Sequence, residues 1–253
     1  MRVELLPSSI PASDSQFLVT FLVNDEVAVD AGSLGLLCDI RRQRRVKHVC
    51  ITHEHLDHIA SLGIFLENVY EPGPESVELL ASQEVLDFLH DDMFNGRVWP
   101  DFFALSAPDN SFVIPTAIEP LQPFKRAGLT ITPVPVSHGV DTTGLIVDDG
   151  TVTVAFPSDT GPTTLLWQHL AEADRLKAVF LEVSFPNSRR ELATLTGHHC
   201  TETFAAEIRK LPKDVRWIVV HRKPRYAAEI AEEIAALGLA SVEIVRPGEV
   251  YEF

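Results

Sequence analysis

His48-Val49-Cys50-Ile51-Thr52-His53-Glu54-His55-Leu56-Asp57-His58-Ile59 passes from a short apolar run straight into three imidazoles and Asp57. Residues 48–52 read as a buried strand, short and β-rich. Three histidines and an aspartate packed just after it are too costly to bury unless something binds them. Imidazole and carboxylate together suit zinc and similar divalent ions. The spacing has a mechanical sense. A turn after the strand leaves His53 and His55 on one side, while Asp57 and His58 open a helix and project beside them. Two adjacent half-sites result, rather than one four-ligand cage.

Two half-sites need further ligands, and the chain offers them where apolar strands end. His138 follows the strand 129–136. Asp159 follows 151–156 and precedes the turn Thr160-Gly161-Pro162. His221 follows 217–220. Sheet-based sites collect their chemistry at such strand ends. Taken singly, each of the three reads equally well as a turn residue or a satisfied core side chain. Beside the first cluster they read as ligands.

The surrounding pattern is mixed α/β. Segments 17–23 and 26–30 flank Asn24-Asp25 as a hairpin. Further strands fall at 129–136, 144–147, 151–156, 178–181, 217–220 and 241–245, with Asp148-Asp149-Gly150 as a turn. Helical periodicity appears at 82–90, 163–173, 201–211 and 226–237. The proline-rich stretch 100–123 reads as an irregular insertion, and the whole of 1–253 as a single domain. With 45% hydrophobic residues the chain can bury a sizeable core. No apolar run approaches the ~20 residues that span a bilayer, and no secretory leader is legible. Three scattered cysteines make no disulfide framework. The expectation is a soluble cytoplasmic protein with no membrane partner. Its formal charge of −15 makes long nucleic acids poor partners, but it leaves room for a small anion held by metal ions. The one basic cluster, Arg41-Arg42-Gln43-Arg44-Arg45, reads as a solvated helix end.

The His-x-His-x-Asp-His run, followed by a later His, an Asp and a last His, resembles the metallo-β-lactamase fold superfamily. Val29-Asp30-Ala31-Gly32-Ser33-Leu34, Asn95-Gly96-Arg97-Val98-Trp99-Pro100-Asp101-Phe102, Ser158-Asp159-Thr160-Gly161-Pro162, Glu182-Val183-Ser184-Phe185-Pro186 and His221-Arg222-Lys223-Pro224 are similar to segments of its class II cyclic-nucleotide phosphodiesterases. The resemblance implies an αββα sandwich, two mixed sheets flanked by helices. It implies that His53, His55 and His138 hold one metal ion, that Asp57, His58 and His221 hold a second, and that Asp159 bridges them. Zinc is the expected metal, with manganese or iron as alternatives. Asp, not Cys, stands at the bridging position, as in the phosphodiesterase and nuclease branches.

The activity so implied is hydrolysis of 3′,5′-cyclic nucleotides, cAMP or cGMP, to 5′-monophosphates. Two ions about 3.5–4 Å apart would share a hydroxide and clamp the phosphoryl oxygens. Asp57 would also orient the nucleophile. Of the pair His198-His199, position after Gly197 favours His198 as general acid. Asp30 and Glu182, each at an apolar strand end, are candidates for fixing the ligand rings. Asn95, Trp99 and Phe102 are candidates for contacting the nucleotide, since base–aromatic stacking is worth ~1–3 kcal/mol. The same aromatic run would equally serve as a hydrophobic subunit contact, as in a homodimer, or as the packing of a lid. RNA 3′ ends, thioesters and lactones are the alternative substrates, because one fold hosts many reactions.

Overall fold

The computed structural model describes residues 1–9, 13–211 and 214–253. In chain order its strands are β1 (Arg2–Leu5), β2 (Phe21–Val23), β3 (Val27–Val29), β4 (His48–Cys50), β5 (Val77–Ala81), β6 (Val113–Ala117) and β7 (Phe124–Arg126). They continue as β8 (Leu129–Pro135), β9 (Thr143–Asp148), β10 (Thr153–Phe156), β11 (Leu176–Glu182), β12 (Arg216–Val220), β13 (Val242–Ile244) and β14 (Val250–Glu252). The chain divides into two compact units. The first comprises residues 1–14, 18–119 and 247–252; the second comprises 15–17, 120–246 and 253.

The first unit carries one seven-stranded sheet in the order β14-β1-β2-β3-β4-β5-β6. Strands β3 to β6 run parallel, and β14, β1 and β2 are added antiparallel. The β2–β3 turn has Asn24 and Asp25 both at positive φ, the conformation that matches the twist of a hairpin. The short helices α1 (Ile40–Gln43) and α2 (Leu56–Ile59) are followed by α3 (Leu62–Val69), α4 (Gln83–Phe88) and α5 (Phe102–Leu105). Leu62, Phe65 and Leu66 of α3 meet Val85 and Leu86 of α4 and Phe94 and Phe102 in one buried cluster. Ser82 caps α4 by accepting from the Val85 amide.

The second unit carries the other sheet, in the order β13-β12-β11-β10-β9-β8-β7. Here β10 to β13 are parallel, and β9, β8 and β7 extend the sheet antiparallel. Helices α6 (Leu165–Glu172), α7 (Arg190–Leu195), α8 (Thr201–Ile208) and α9 (Ala227–Ala236) belong to this unit. Apolar residues four apart, Leu166 with Leu170, Phe204 with Ile208 and Ile230 with Ile234, bury one stripe of α6, α8 and α9 against Val179, Trp217 and Val219 of the sheet. A residue following a parallel strand emerges at its carboxyl end, where sheets of this kind place their ligands.

Two expectations are corrected. Residues 17–20 are not strand. Val19 donates to the Asp57 carbonyl and accepts from the Gly32 amide, so its backbone groups are committed to two loops rather than to a ladder. The stretch 100–123 is not wholly irregular. It contains β6, an edge strand, and only at an edge is Pro115 tolerated, because proline cannot donate to the ladder.

Candidate metal-binding halves and a buried acid

In the first unit the decisive residues converge on Asp30, which is 1% exposed and follows β3 at φ 62°. One carboxylate oxygen accepts from the Thr52 amide at 2.8 Å and the Thr52 hydroxyl at 3.0 Å. The other accepts from His58 Nδ1 at 2.7 Å, with the Thr52 hydroxyl also at 3.0 Å. Thr52 Oγ1 lies 3.0 Å from His53 Nδ1, and His53 Nε2 lies 3.1 Å from His55 Nδ1. His53 and His58 are buried, with ring centroids 4.1 Å apart. His55 precedes α2 at its N-cap position, and Asp57 stands in the first turn.

Backbone contacts hold that turn in place. Ala31 donates to the His58 carbonyl at 2.7 Å, and Val19 donates to the Asp57 carbonyl at 2.8 Å. Gly32 is what permits the approach: a Cβ there would lie 2.0 Å from the Asp57 carbonyl oxygen.

In the second unit the corresponding hub is Glu182, the last residue of β11, fully buried. Its Oε1 accepts from His198 Nδ1 at 2.7 Å and from the Thr160 amide at 2.9 Å. Its Oε2 accepts from the Ser184 hydroxyl at 2.6 Å and the Ser184 amide at 3.1 Å. Ser184 Oγ in turn lies 2.9 Å from His221 Nδ1. Asp159, His198 and His221 bring ligand atoms within 4.8 Å of one another. His221 Nδ1 is 3.2 Å from Asp159 Oδ1.

Three side chains at these strand ends, Asp30, Ser158 and His221, sit at positive φ although none is glycine. Such strain persists only where the surroundings impose it, and functional sites are where it collects. For His221 the backbone amide is anchored by Gln16 Oε1 at 2.8 Å. His138 donates from Nδ1 to the Gly197 carbonyl at 2.9 Å. Gly197, at φ 67°, backs onto it so closely that a Cβ would lie 3.0 Å from His138 Cα.

The electrostatics separate the histidines. Burial works against charge on His198, but the hydrogen-bonded Glu182 carboxylate and nearby Asp159 outweigh it and hold the pKa above its ordinary 6.5. Burial works to raise Glu182, and the charge and hydrogen bond of His198 prevail, keeping it below the ordinary 4.5. Burial pushes His138 down, against the Gly197 carbonyl, towards the neutral form that a ligand needs. His199 is also pushed down by burial and turns its Nδ1 to the Thr203 hydroxyl at 3.1 Å. Geometry and charge therefore distinguish His198 from His199.

These donor sets fit a divalent ion. His58 and His138 each commit Nδ1–H to an oxygen acceptor, which makes Nε2 the basic nitrogen, the pattern of imidazoles that bind metal. Asp159, 2% exposed, supplies a carboxylate beside His221.

The three residues expected to contact a nucleotide are occupied otherwise. Phe102 is 2% exposed and stacks on Phe112 and Phe94 inside the core of the first unit, so no base reaches its faces. Asn95 accepts from the Arg97 and Val98 amides and donates to the Asp91 carbonyl, closing its own loop as an Asx turn. Trp99 is half-buried over α3, where a Cβ on Gly63 would meet its ring at 2.8 Å. Sequence reasoning gave no role to Thr52, Ser184, Gln16 and Gly32. Their signals were slight: a hydroxyl next to or two residues beyond a hub or ligand, and a glycine inside a strand-end loop.

Among the described residues no helix is long and apolar enough to cross a membrane. A probable 3′,5′-cyclic-nucleotide phosphodiesterase of Yersinia pestis is 26% identical over 202 residues, which is 70% of this chain and 57% of that protein. A 3′,5′-cyclic-nucleotide phosphodiesterase of Aliivibrio fischeri is 27% identical over 173 residues, 61% of this chain and 50% of its own length. The chain thus spans little more than half the length of these relatives. The crystal structure of unliganded yeast PDE1 superposes with a TM-score of 0.77 over 98% of both chains at 18% identity. The family model described as a beta-lactamase superfamily domain matches residues 33–236, and the chain belongs to that superfamily, with the metallo-β-lactamase fold of two mixed β-sheets flanked by helices.

Proposed function

We propose that the protein is a metal-dependent phosphodiesterase that opens 3′,5′-cyclic nucleotides to 5′-monophosphates. The observation that carries this reading is the buried Glu182–His198 pair beside Asp159 and His221. It is a proton donor prepared among metal-ligand side chains. The two named relatives support the substrate class.

In this reading the metal ligands would be His53, His55, Asp57 and His58 of the first unit and His138, Asp159 and His221 of the second. Zinc is the proposed metal, the ion that a set of five imidazoles and two aspartates suits well. When bound, two divalent ions supply a nucleophile from water at neutral pH and neutralise the phosphoryl oxygens. The chain's own residues do the rest. Glu182 holds His198 by Nδ1–H, which leaves Nε2–H as the ring's other proton. Cleavage of the 3′ P–O bond leaves an alkoxide that must be protonated, and Nε2–H of His198 gives that proton. Asp30 keeps His58 in register with Asp57 through the first turn of α2.

The test is leaving-group dependence. His198→Ala should lose about 10²–10⁴-fold in kcat on cAMP. On bis-p-nitrophenyl phosphate, whose leaving group needs no proton, the loss should be slight. Equal losses on both substrates would remove His198 as the acid. Wild-type protein inactive on every cyclic nucleotide would remove the substrate assignment.

A further inference from the structure

The two hubs are built alike. In each, one carboxylate binds one imidazole directly, Asp30 to His58 and Glu182 to His198. Each also reaches a second imidazole through a hydroxyl, Asp30 through Thr52 to His53 and Glu182 through Ser184 to His221. A hydroxyl has a single proton to donate. At Ser184 the charge-assisted bond of 2.6 Å to Glu182 takes it. Ser184 Oγ can then only accept from His221 Nδ1. The second neighbour of that nitrogen, Asp159 Oδ1, is an acceptor too. At Thr52 both carboxylate oxygens of Asp30 lie 3.0 Å from Oγ1, so that proton is likewise committed, and Thr52 Oγ1 accepts from His53 Nδ1.

We propose that Thr52 and Ser184 are positioning residues whose hydroxyls relay the charge of a buried carboxylate to a neighbouring histidine, fixing His53 and His221 as Nδ1–H tautomers with Nε2 as the metal-ligating nitrogen. This rests on the dinuclear-site reading above for its metal consequence, but the tautomers themselves belong to the metal-free protein. The arrangement explains why a side chain with a hydroxyl stands at each of these buried places. In the first unit the single carboxylate of Asp30 thereby orients two rings, while in the second Asp159 adds a further acceptor at His221.

The experiment uses the full chain stripped of metal. Thr52→Val keeps the shape and deletes the hydroxyl, whereas Thr52→Ser keeps the hydroxyl; Ser184→Ala and Ser184→Thr make the matching pair. Long-range ¹H–¹⁵N spectra of the histidine rings, assigned with His53→Gln and His221→Gln, report which nitrogen carries the proton. Wild type, Thr52→Ser and Ser184→Thr should show protonated Nδ1 at both rings. Thr52→Val should lose that signature at His53 and keep it at His221; at His221 the Asp159 carboxylate also accepts from Nδ1, so the signature should be lost there only when Ser184→Ala is combined with Asp159→Ala. Titration with Zn²⁺ alone should show affinity lowered about 10–100-fold in the two deletion variants and near wild type in the two hydroxyl-retaining ones. An unchanged His53 tautomer in Thr52→Val, or an unchanged His221 tautomer in the Ser184→Ala, Asp159→Ala double variant, would overturn the proposal. So would Thr52→Ser binding Zn²⁺ as poorly as Thr52→Val. Wild-type protein that binds no Zn²⁺ would instead refute the metal reading, with the tautomer result still deciding the relay.

Discussion

Asp30→Asn isolates what the first hub does, because it changes the charge and one donor–acceptor sense while keeping the shape. Asp30 accepts from the Thr52 amide on one oxygen and from His58 Nδ1 on the other, and the Thr52 hydroxyl lies within bonding reach of both. An asparagine offers one acceptor and one donor. If its carbonyl faces Thr52, its amide meets the Nδ1–H of His58, and the ring must move its proton to Nε2, where the metal would bind. If it is flipped, the amide opposes the Thr52 N–H, and a buried donor is left unmet. Either outcome forfeits a charge-assisted hydrogen bond worth ~1.5–3 kcal/mol. The expected loss of stability is therefore about 2–3 kcal/mol in the metal-free protein, read from the midpoint and slope of urea unfolding. The expected loss of Zn²⁺ affinity is about 10–100-fold, read by titration. A variant that unfolds at the wild-type urea concentration and binds Zn²⁺ equally well would refute the role of Asp30 as hub.

Two other perturbations address the second unit. Gly197→Ala forces a side chain into the left-handed region, at ~1–2 kcal/mol, and pushes a Cβ to 3.0 Å from His138 Cα; a lowered thermal midpoint and weaker Zn²⁺ binding should follow, and an unchanged midpoint would mean that the loops have room to part. For Glu182 and His198 the sign of the pH dependence is fixed by their opposite shifts. The raised His198 contributes stability that is full below 6.5 and fades as pH rises through its folded pKa, while the lowered Glu182 contributes stability that is present above 4.5 and fades as pH falls through its own. A double-mutant cycle of Glu182→Gln and His198→Asn in the metal-free protein should show its largest coupling between those two values, and coupling that grew towards strongly alkaline pH would contradict the pairing.

What could be read from the sequence, and what could not, follows from how each residue is held. Asp30, Asp159, Glu182 and His221 were legible because a charged or polar residue closing an apolar strand has few other reasons to be there. The parallel strands β3, β10, β11 and β12 turn that one-dimensional signal into a place at the carboxyl ends of two sheets. For Asn95, Trp99 and Phe102 an aromatic run in a loop has no periodicity to tell an inward ring from an outward one. Only the structure places Phe102 between Phe94 and Phe112. Segment 17–20 looked like strand because Val19 and Thr20 are buried as strand residues would be. Burial and ladder pairing coincide in most β-rich runs, and here loops take the ladder's place.

The basic run is the remaining case, and its resolution bears on substrate size. Arg42 is bound to Glu4 and Asp25 at 2.6 and 3.0 Å, and Arg45 to Asp25 at 3.1 Å. Arg44 pairs with Glu71 at 2.7 Å and Arg41 with Asp39 at 3.2 Å. Arg2 joins the same carboxylates, Glu4 and Asp25. Partly exposed pairs of this kind contribute little stability each, and Arg2, Arg42 and Arg45 share two carboxylates, Glu4 and Asp25, so the cluster is offset in large part rather than fully. A polynucleotide gains affinity by replacing counterions with cations along its length, and in this run each arginine stands beside a carboxylate that offsets part of its charge. A single phosphodiester needs no such track, because ions held by histidine and aspartate supply the positive charge at one point. The charge of −15 and the carboxylate-paired run weigh against a long polyanion as partner.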